Sequence, residues 1–172
     1  YGISSDGQHI PLTIVHHRDL TPHSESPLLL TGYGAYGMSL TPGFSASRRT
    51  LLTRGVIHVT AHVRGGMENG YQWYRSGRMT DKDQSFNDFI GAAETLIRDG
   101  WTSAGNIILH GGSAGGLLVG TTVMRRPELF RGVIADVPFV DVLETMLDAD
   151  LPLTPPEWPE WGNPIESMDA TR

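Results

Sequence analysis

Residues 111–116, with the sequence GGSAGG, constrain the fold of this chain more than any other segment. The apolar run at 106–110 enters this segment with the composition of a buried strand. The apolar residues from Leu117 to Met124 follow it with the spacing of a helix. Because glycine has no Cβ, the glycines around Ser113 permit a sharp strand-to-helix turn that bulky neighbours would prevent. The sequence therefore predicts that Ser113 lies in a strained turn at the carboxyl end of a strand.

This order of strand, Gly-x-Ser-x-Gly turn and helix is typical of the nucleophile elbow of α/β-hydrolases. In that arrangement the serine hydroxyl is exposed at the carboxyl end of the sheet, above the amino end of the following helix. We therefore interpret Ser113 as a nucleophile, and the glycines at 111, 112, 115 and 116 as requirements of the turn. The alternative is a glycine-rich turn in which the serine has no chemical role.

Predicted strands and helices alternate along the rest of the chain. Strands are expected at 10–16, 27–31, 55–61, 106–110 and 132–137, and helices at 45–54, 83–99 and 114–126. Pro11 assigns the first strand to an edge of the sheet, because proline cannot donate to a strand ladder. The proline- and tryptophan-rich segment 151–164 is expected to be an irregular surface loop. The alternation predicts a mainly parallel sheet with helices on both faces, a partial α/β-hydrolase fold.

Composition excludes several classes of function. The chain has 172 residues, enough for one domain with a sizeable core, and it contains no cysteine, which excludes disulfides and thiolate catalysis. Its formal net charge of −6 opposes binding to nucleic acid, and no apolar run is long enough to span a membrane. We therefore expect neither nucleic acid nor a membrane as a partner. Because cysteine is absent, we also expect a reducing compartment and a cytoplasmic location.

A second glycine-rich segment, GYGAYG at residues 32–37, directly follows the strand predicted at 27–31. It matches the dinucleotide fingerprint G-x-G-x-x-G, but Pro42 and Gly43 oppose the helix which that fingerprint requires. The next strand also ends without the acidic residue that would bind a ribose. We therefore predict no cofactor.

The same segment fits an oxyanion hole. In an α/β-hydrolase one donor is the backbone amide of the residue after the nucleophile, and the other comes from the loop after an early strand. The first donor is then the Ala114 amide, and the Tyr33 hydroxyl is a candidate for the second. The alternative for Tyr33 is a turn tyrosine that packs on the surface.

The histidines near this region are interpreted as structural. His58 and His62 are four residues apart and lie on one face of a predicted strand, with no carboxylate at a matching step. We therefore predict no metal site. His110 immediately precedes the elbow and is expected to pack against the sheet rather than act as a base.

Two groups of acidic residues remain. At the start of the helix predicted at 83–99, Asp81, Asp83 and Asp88 are expected to cap the helix and face solvent. After the last predicted strand, an acidic scatter includes Asp141, Asp148, Asp150 and Glu157. The latter group either faces solvent or lines a site for a positively charged group.

Several segments in the same order resemble the prolyl oligopeptidase family of serine peptidases, and within it the oligopeptidase B group. They are 32–37, 64–70 (RGGMENG), 86–90 (FNDFI), 111–118, 126–130 (RPELF), 137–143 (VPFVDVL), 151–154 and 160–164. This resemblance covers nearly the whole chain from about residue 7 onward, and so many blocks in one order are more specific than any single motif.

The resemblance implies the catalytic domain of a serine peptidase, gated in this family by a β-propeller that admits only short peptides. It implies that Ser113 is the acylating nucleophile, and that the Tyr33 hydroxyl and the Ala114 amide form the oxyanion hole. The expected partners are therefore short peptide substrates and a β-propeller domain in the same protein.

The resemblance also implies a substrate site in the proline-rich segment. Glu157 matches a glutamate that contacts a basic P1 side chain in the oligopeptidase B group, while Tyr36 and Trp161 match walls of the substrate cleft. A carboxylate facing arginine or lysine forms charge-assisted hydrogen bonds, so cleavage after these residues is expected. The alternatives within the same fold are a prolyl peptidase, an acylaminoacyl peptidase and an esterase.

Three positions depart from the oligopeptidase B pattern. Pro159 occupies the place of a second glutamate, for which Glu160 is a candidate substitute one residue later. Thr41 and Gly43 occupy places that are acidic in some members and are linked there to a second basic subsite. These departures favour a single basic P1 residue over a pair of basic residues.

The largest departure concerns the catalytic triad. In α/β-hydrolases the chain order is serine, then an acid, then histidine, whereas all seven histidines of this chain precede Ser113. The chain also begins at Tyr1 and ends at 169–172 without a closing element. We therefore expect residues 1–172 to be the N-terminal portion of a catalytic domain, inactive alone, with the triad Asp and His beyond Arg172. The alternative from another class is a non-catalytic module with a degenerate hydrolase fold.

Overall fold

The computed structural model describes residues 1–166, which contain seven strands and six α-helices. The strands are β1 (Gly2–Ile3), β2 (His9–Ile10), β3 (Leu12–Val15), β4 (Leu28–Thr31), β5 (Ile57–Ala61), β6 (Ile107–Gly112) and β7 (Phe130–Asp136). The helices are α1 (Ala46–Leu52), α2 (Tyr71–Arg75), α3 (Asp83–Arg98), α4 (Ala114–Arg125), α5 (Val142–Leu147) and α6 (Thr154–Trp161). Two short 3₁₀ turns lie at Met79–Asp81 and Pro127–Leu129. Residues 169–172, where the sequence predicts no closing element, lie outside the described part.

Five of the strands form the central sheet, in the spatial order β3-β5-β4-β6-β7. Only β3 is antiparallel to its neighbour, and the other pairs are parallel. Helices α3 and α4 pack on one face through the main apolar core, and α1 lies against the other face. The predicted partial α/β-hydrolase fold is thus confirmed, with one antiparallel edge strand.

The prediction for Pro11 is confirmed in a modified form. Pro11 interrupts the predicted strand and separates β2, which pairs with β1, from β3, which forms an edge of the central sheet. Its carbonyl still accepts a hydrogen bond from the amide of His62 at 3.0 Å. The proline therefore ends one pairing and begins another, because it lacks the amide that a continuous ladder needs.

Helix α3 forms as the apolar stripe predicts. Phe89, Ala93 and Leu96 are buried against the sheet, and Gly100 follows the helix end with a φ of +79°. A glycine in this left-handed conformation ends a helix at little cost. No helix within residues 1–166 is long and apolar enough to span a bilayer.

The prediction of an irregular loop at 151–164 is wrong, because α6 occupies most of that segment. Pro155 and Pro156 lie in its first turn, where the backbone amides need no intrahelical acceptor. The helix packs against α5, where the Thr154 hydroxyl donates to the Thr145 carbonyl at 2.8 Å and the Trp158 indole donates to the Met146 carbonyl at 3.1 Å. These tertiary contacts offset the low helix propensity of the prolines.

The expectation that Asp88 faces solvent at the start of α3 is also wrong. Asp88 is fully buried, and its carboxylate accepts hydrogen bonds from the Arg64 guanidinium at 2.5 and 2.9 Å and from the Arg64 amide at 2.9 Å. Asp6 and Ser4 complete the guanidinium's contacts at 2.6 and 3.3 Å. This network holds the β1–β2 hairpin, the segment after β5 and α3 together.

Candidate active site

Ser113 occupies the tip of the turn between β6 and α4, with φ of 51° and ψ of −121°. A non-glycine residue in this region is strained by about 1–3 kcal/mol and persists only where its surroundings fix it. Three main-chain hydrogen bonds do so: the Ser113 amide donates to the Asp136 carbonyl at 2.9 Å, and the Ser113 carbonyl accepts from Phe139 at 2.9 Å and from Gly116 at 2.8 Å. The side chain remains exposed, as expected of a nucleophile elbow.

Three of the four glycines around Ser113 are steric requirements. A Cβ on Gly111 would lie 2.1 Å from the Gly115 carbonyl oxygen, and one on Gly116 would lie 2.4 Å from the Pro138 Cβ. A Cβ on Gly115 would lie 2.8 Å from a neighbouring carbonyl oxygen. The nearest atom to a Cβ on Gly112 is 3.4 Å away, which is an ordinary contact. The expectation that the turn requires glycine at 112 is therefore wrong.

Tyr33 and Ala114 lie on either side of the elbow as candidate oxyanion donors. Burial raises the pKa of the half-buried Tyr33 phenol, and its hydrogen bond to Ser113 only partly opposes this rise. The phenol therefore keeps its proton at neutral pH and can donate. Ala114 is the first residue of α4, so its amide has no intrahelical acceptor. The Tyr33 phenol, which interacts with Ser113, and the amide of the next residue, Ala114, are thus two candidate donors.

Tyr36, Trp161 and Phe139 form an aromatic wall next to these donors. The Trp161 ring meets the Tyr36 ring edge-on at a centroid distance of 5.7 Å and the Phe139 ring at 5.6 Å. The Trp161 indole donates to the Tyr36 hydroxyl at 2.8 Å. Tyr36 itself has a φ of 56°, a strained conformation that these contacts maintain. The predicted pair Tyr36 and Trp161 is therefore brought together within reach of Tyr33, whose ring centroid is 6.4 Å from that of Tyr36.

Glu157 is half-buried in the first turn of α6, on the side of this wall. Its negative charge contributes to the raised pKa of both Tyr33 and Tyr36, after burial as the main cause. Its interaction with the Tyr36 hydroxyl is a further cause of the raised pKa of Tyr36. Among residues 1–166, no arginine, lysine or histidine forms an ion pair with Glu157. A half-buried carboxylate thus lies beside the candidate oxyanion donors without a cation in the described part of the chain.

Glu160, by contrast, points into the protein. Its side chain is almost completely buried, Oε2 accepts a hydrogen bond from the Tyr74 hydroxyl at 2.8 Å, and Oε1 lies 3.8 Å from the Lys82 ammonium. The expectation that Glu160 replaces a second substrate-binding glutamate is therefore wrong. Lys82 was not singled out by sequence, because nothing in its spacing distinguishes it from a surface lysine. The one sequence feature that could have drawn attention to Lys82 is that the chain contains no other lysine.

Comparison with known proteins decides the family. The sequence profile of the prolyl oligopeptidase family matches residues 42–171. The chain belongs to this family. The match includes Ser113 and Glu157, and the segment with Tyr33 lies just before it.

Individual members of the prolyl oligopeptidase family are also similar. Protease 2 of Moraxella lacunata is 46% identical over 163 residues, which cover 95% of this chain and 24% of the relative. Dipeptidyl aminopeptidase BI of Pseudoxanthomonas mexicana is 43% identical over 157 residues, with coverages of 91% and 22%. The structure of oligopeptidase B from Trypanosoma brucei with covalently bound antipain has a TM-score of 0.93 at 42% identity and coverages of 98% and 24%. The chain therefore spans less than a quarter of the length of these relatives.

The buried histidines have structural partners. The His58 ring lies 3.3 Å from the Thr31 hydroxyl, and burial lowers the pKa of His58 to about 4. The His62 ring contacts the Thr13 hydroxyl at 2.8 Å and the Glu68 carboxylate at 3.3 Å. The sequence analysis missed Glu68, because it comes from the loop after β5 rather than from the strand. Within residues 1–166, no group of three or more candidate ligands could hold a metal ion.

His110 does not serve Ser113 in the described structure. Its Nε2 lies 2.8 Å from an Asp136 carboxylate oxygen at the end of β7, and the ring is partly exposed rather than packed against the sheet as expected. None of the hydrogen bonds described for residues 1–166 joins a histidine to Ser113. This part of the fold therefore contains a candidate nucleophile and two candidate donors, while the triad Asp and His expected beyond Arg172 stay a prediction.

Proposed function

We propose that the intact protein containing this chain is a serine peptidase that hydrolyses peptide bonds through an acyl-enzyme on Ser113. The observation that supports this most strongly is the strained, exposed Ser113 with the Tyr33 hydroxyl beside it and a free Ala114 amide at the start of α4. Strain of this kind is maintained at functional sites.

In the proposed reaction the Ser113 Oγ attacks the carbonyl carbon of the scissile peptide bond and gives its proton to a general base. That base is a histidine of the intact protein beyond Arg172. The Tyr33 hydroxyl and the Ala114 amide donate to the oxyanion of the tetrahedral intermediate. The carbon–nitrogen bond then breaks, and the departing amine takes the proton from the histidine. Water hydrolyses the resulting ester and restores the Ser113 hydroxyl.

We further propose that Glu157 recognises an arginine or lysine at P1. A half-buried carboxylate without a cation partner in the described residues can form charge-assisted hydrogen bonds with a guanidinium or an ammonium group. Tyr36 and Trp161 would form the wall of the same cleft. Because Pro159, Thr41 and Gly43 add no carboxylate, a single basic residue is favoured over a pair.

The short-peptide preference, the β-propeller in the same protein and the cytoplasmic location stay predictions for the intact protein. The limited share of the relatives that this chain covers leaves room for a further domain.

The substitution Glu157→Gln in the intact protein tests the P1 proposal. We expect kcat/KM for a fluorogenic arginine amide to fall roughly tenfold to a hundredfold, since losing a hydrogen bond to a charged group costs about 1.5–3 kcal/mol. Cleavage of a matched proline amide should change little. Glu144→Gln, an exposed site on α5, is the matched control and should leave both rates unchanged.

Equal losses on the arginine and proline amides would contradict the basic P1 preference and favour the prolyl, acylaminoacyl or esterase alternative. Full activity of a Ser113→Ala variant on every substrate would contradict the peptidase mechanism itself.

A further inference from the structure

Lys82 joins three segments of the candidate site, although the proposed reaction does not use it. It directly precedes α3, and its side chain is 14% exposed. The ammonium donates to the Gly34 carbonyl at 2.5 Å and to the Gly77 carbonyl at 3.3 Å. Gly34 follows Tyr33 directly in the tyrosine loop, which we define as residues 32–37.

The same ammonium contacts α6. It lies 3.8 Å from Oε1 of Glu160 and 4.9 Å from the centroid of the Trp161 ring. Among the described residues, Oε1 of Glu160 has no hydrogen-bond partner, so the charge of Lys82 is its main compensation. A buried carboxylate without such compensation is costly, which means that each ion holds the other in place.

These contacts fix the conformation of the tyrosine loop from behind. Gly34 has a φ of +69°, a left-handed conformation that glycine adopts easily. Glycine also leaves this conformation easily unless its neighbours restrain it. An anchored Gly34 carbonyl restricts the direction of Tyr33, the preceding residue. Trp161, over which the ammonium lies, in turn binds the Tyr36 hydroxyl. One cation therefore touches both the loop with the oxyanion donor and the helix with Glu157.

We propose that Lys82 is a positioning residue that holds the Tyr33 hydroxyl beside Ser113 and keeps α6 aligned with the tyrosine loop. This inference rests on the proposed function. Lys82 acts only through Gly34, Glu160 and Trp161, and it contacts neither Ser113 nor the reacting atoms.

The protonation state of Lys82 provides a specific readout. Burial lowers its pKa to about 8, and the negative charge of Glu160 opposes part of this shift. The other ionisable groups nearby are Tyr74, which donates to Glu160, and Arg78, which contacts the Tyr74 hydroxyl at 3.2 Å. Three more charged residues line the cavity that adjoins Lys82, and they are Asp83, Arg125 and Asp141.

The restraint that Lys82 places on the tyrosine loop should weaken as the pH rises. Below about pH 8 the Lys82 ammonium is charged and pairs with Glu160. As the pH rises through that value the charge disappears, and the restraint on the Gly34 carbonyl weakens. We therefore expect kcat of the intact protein to decrease on an alkaline limb near pH 8.

Variants of Lys82 in the intact protein test this role. We expect Lys82→Met to lower kcat at pH 7 roughly tenfold to a hundredfold, because small misplacements of catalytic groups have effects of that size, and to abolish the alkaline limb. Lys82→Arg keeps a cation at all assay pH values and should recover most of kcat and extend it above pH 9. Arg75→Met, an exposed cation on α2, is the control and should leave the profile unchanged.

Glu160→Gln keeps the test decisive where Lys82→Met does not fold. The glutamine amide oxygen can still accept a hydrogen bond from the Tyr74 hydroxyl. The substitution removes the negative charge that favours the protonated form of Lys82. The alkaline limb should therefore move to lower pH. A limb at unchanged pH in Glu160→Gln, or full kcat in a folded Lys82→Met, would overturn the positioning role.

Two outcomes separate this inference from the proposed function. In the first, the intact wild-type protein cleaves the arginine amide, and Lys82→Met has the same kcat and the same pH profile. This result contradicts the positioning role alone. A wild-type protein that neither cleaves peptides nor reacts at Ser113 with a fluorophosphonate contradicts both.

Discussion

At the scale of single residues, two positions with a strained backbone characterise the candidate site. Ser113 and Tyr36 both have positive φ angles and are both fixed by hydrogen bonds. The strain at Ser113 was predictable, because the surrounding glycines leave room for such a turn. The strain at Tyr36 was not, because its contact with Trp161 joins residues that are distant in sequence and become neighbours only in the folded chain.

The Tyr33 hydroxyl offers the clearest test at this scale. In the intact protein, Tyr33→Phe should lower kcat for an arginine amide by roughly 10²–10³-fold, since an oxyanion donor contributes about 2.7–4 kcal/mol to transition-state binding. KM should change little, because the donor acts chiefly on the intermediate. Steady-state kinetics would measure both constants.

Tyr71→Phe is the matched control, because that phenol is 60% exposed on α2. A Tyr33→Phe variant with kcat as high as the control would show that Tyr33 is a surface turn tyrosine.

At the scale of elements, sequence periodicity predicted the parts of the fold that bury one apolar face. Helix α3 and the strands β4 and β6 follow this rule. Helix α6 does not, because its proline-rich sequence packs as a helix against α5, Lys82 and Tyr74, and these contacts are not visible in the segment itself. The burial of Asp88 also depends on a distant residue, since Arg64 from the segment after β5 neutralises it. Single-segment patterns cannot show such pairs.

The contrast between Asp88 and Asp83 on the same helix can be measured. In the intact protein, Asp88→Asn should reduce the local stability around α3 by about 3–5 kcal/mol, because it leaves the buried Arg64 charge without its main partner. Asp83→Asn should have an effect below about 1 kcal/mol, since its ion pair with Arg125 is exposed. Hydrogen exchange of the α3 amides, followed by mass spectrometry, would report both values. Equal acceleration of exchange in the two variants would contradict the proposed role of the Arg64–Asp88 pair.

At the scale of the whole molecule, the sequence was sufficient to predict the fold class and the family. Both rest on motifs that are local in the chain, above all the elbow at 111–116. The internal role of Glu160 could not be predicted in this way, because it depends on how α6 packs against Lys82 and Tyr74. The general base is likewise not provided by the described residues, so the mechanism belongs to the intact protein.

The most direct test of the central claim is covalent labelling of the intact protein with a fluorophosphonate, followed by tryptic peptide mapping. The Ser113 Oγ should displace fluoride from phosphorus, and the adduct should lie on the peptide 99–125. Fragmentation of that peptide distinguishes Ser113 from Ser103. We predict that the fraction of Ser113 that is labelled rises in proportion to the loss of peptidase activity. The Ser113→Ala variant should form no adduct. Loss of activity with Ser113 unmodified would contradict the assignment of Ser113 as the nucleophile.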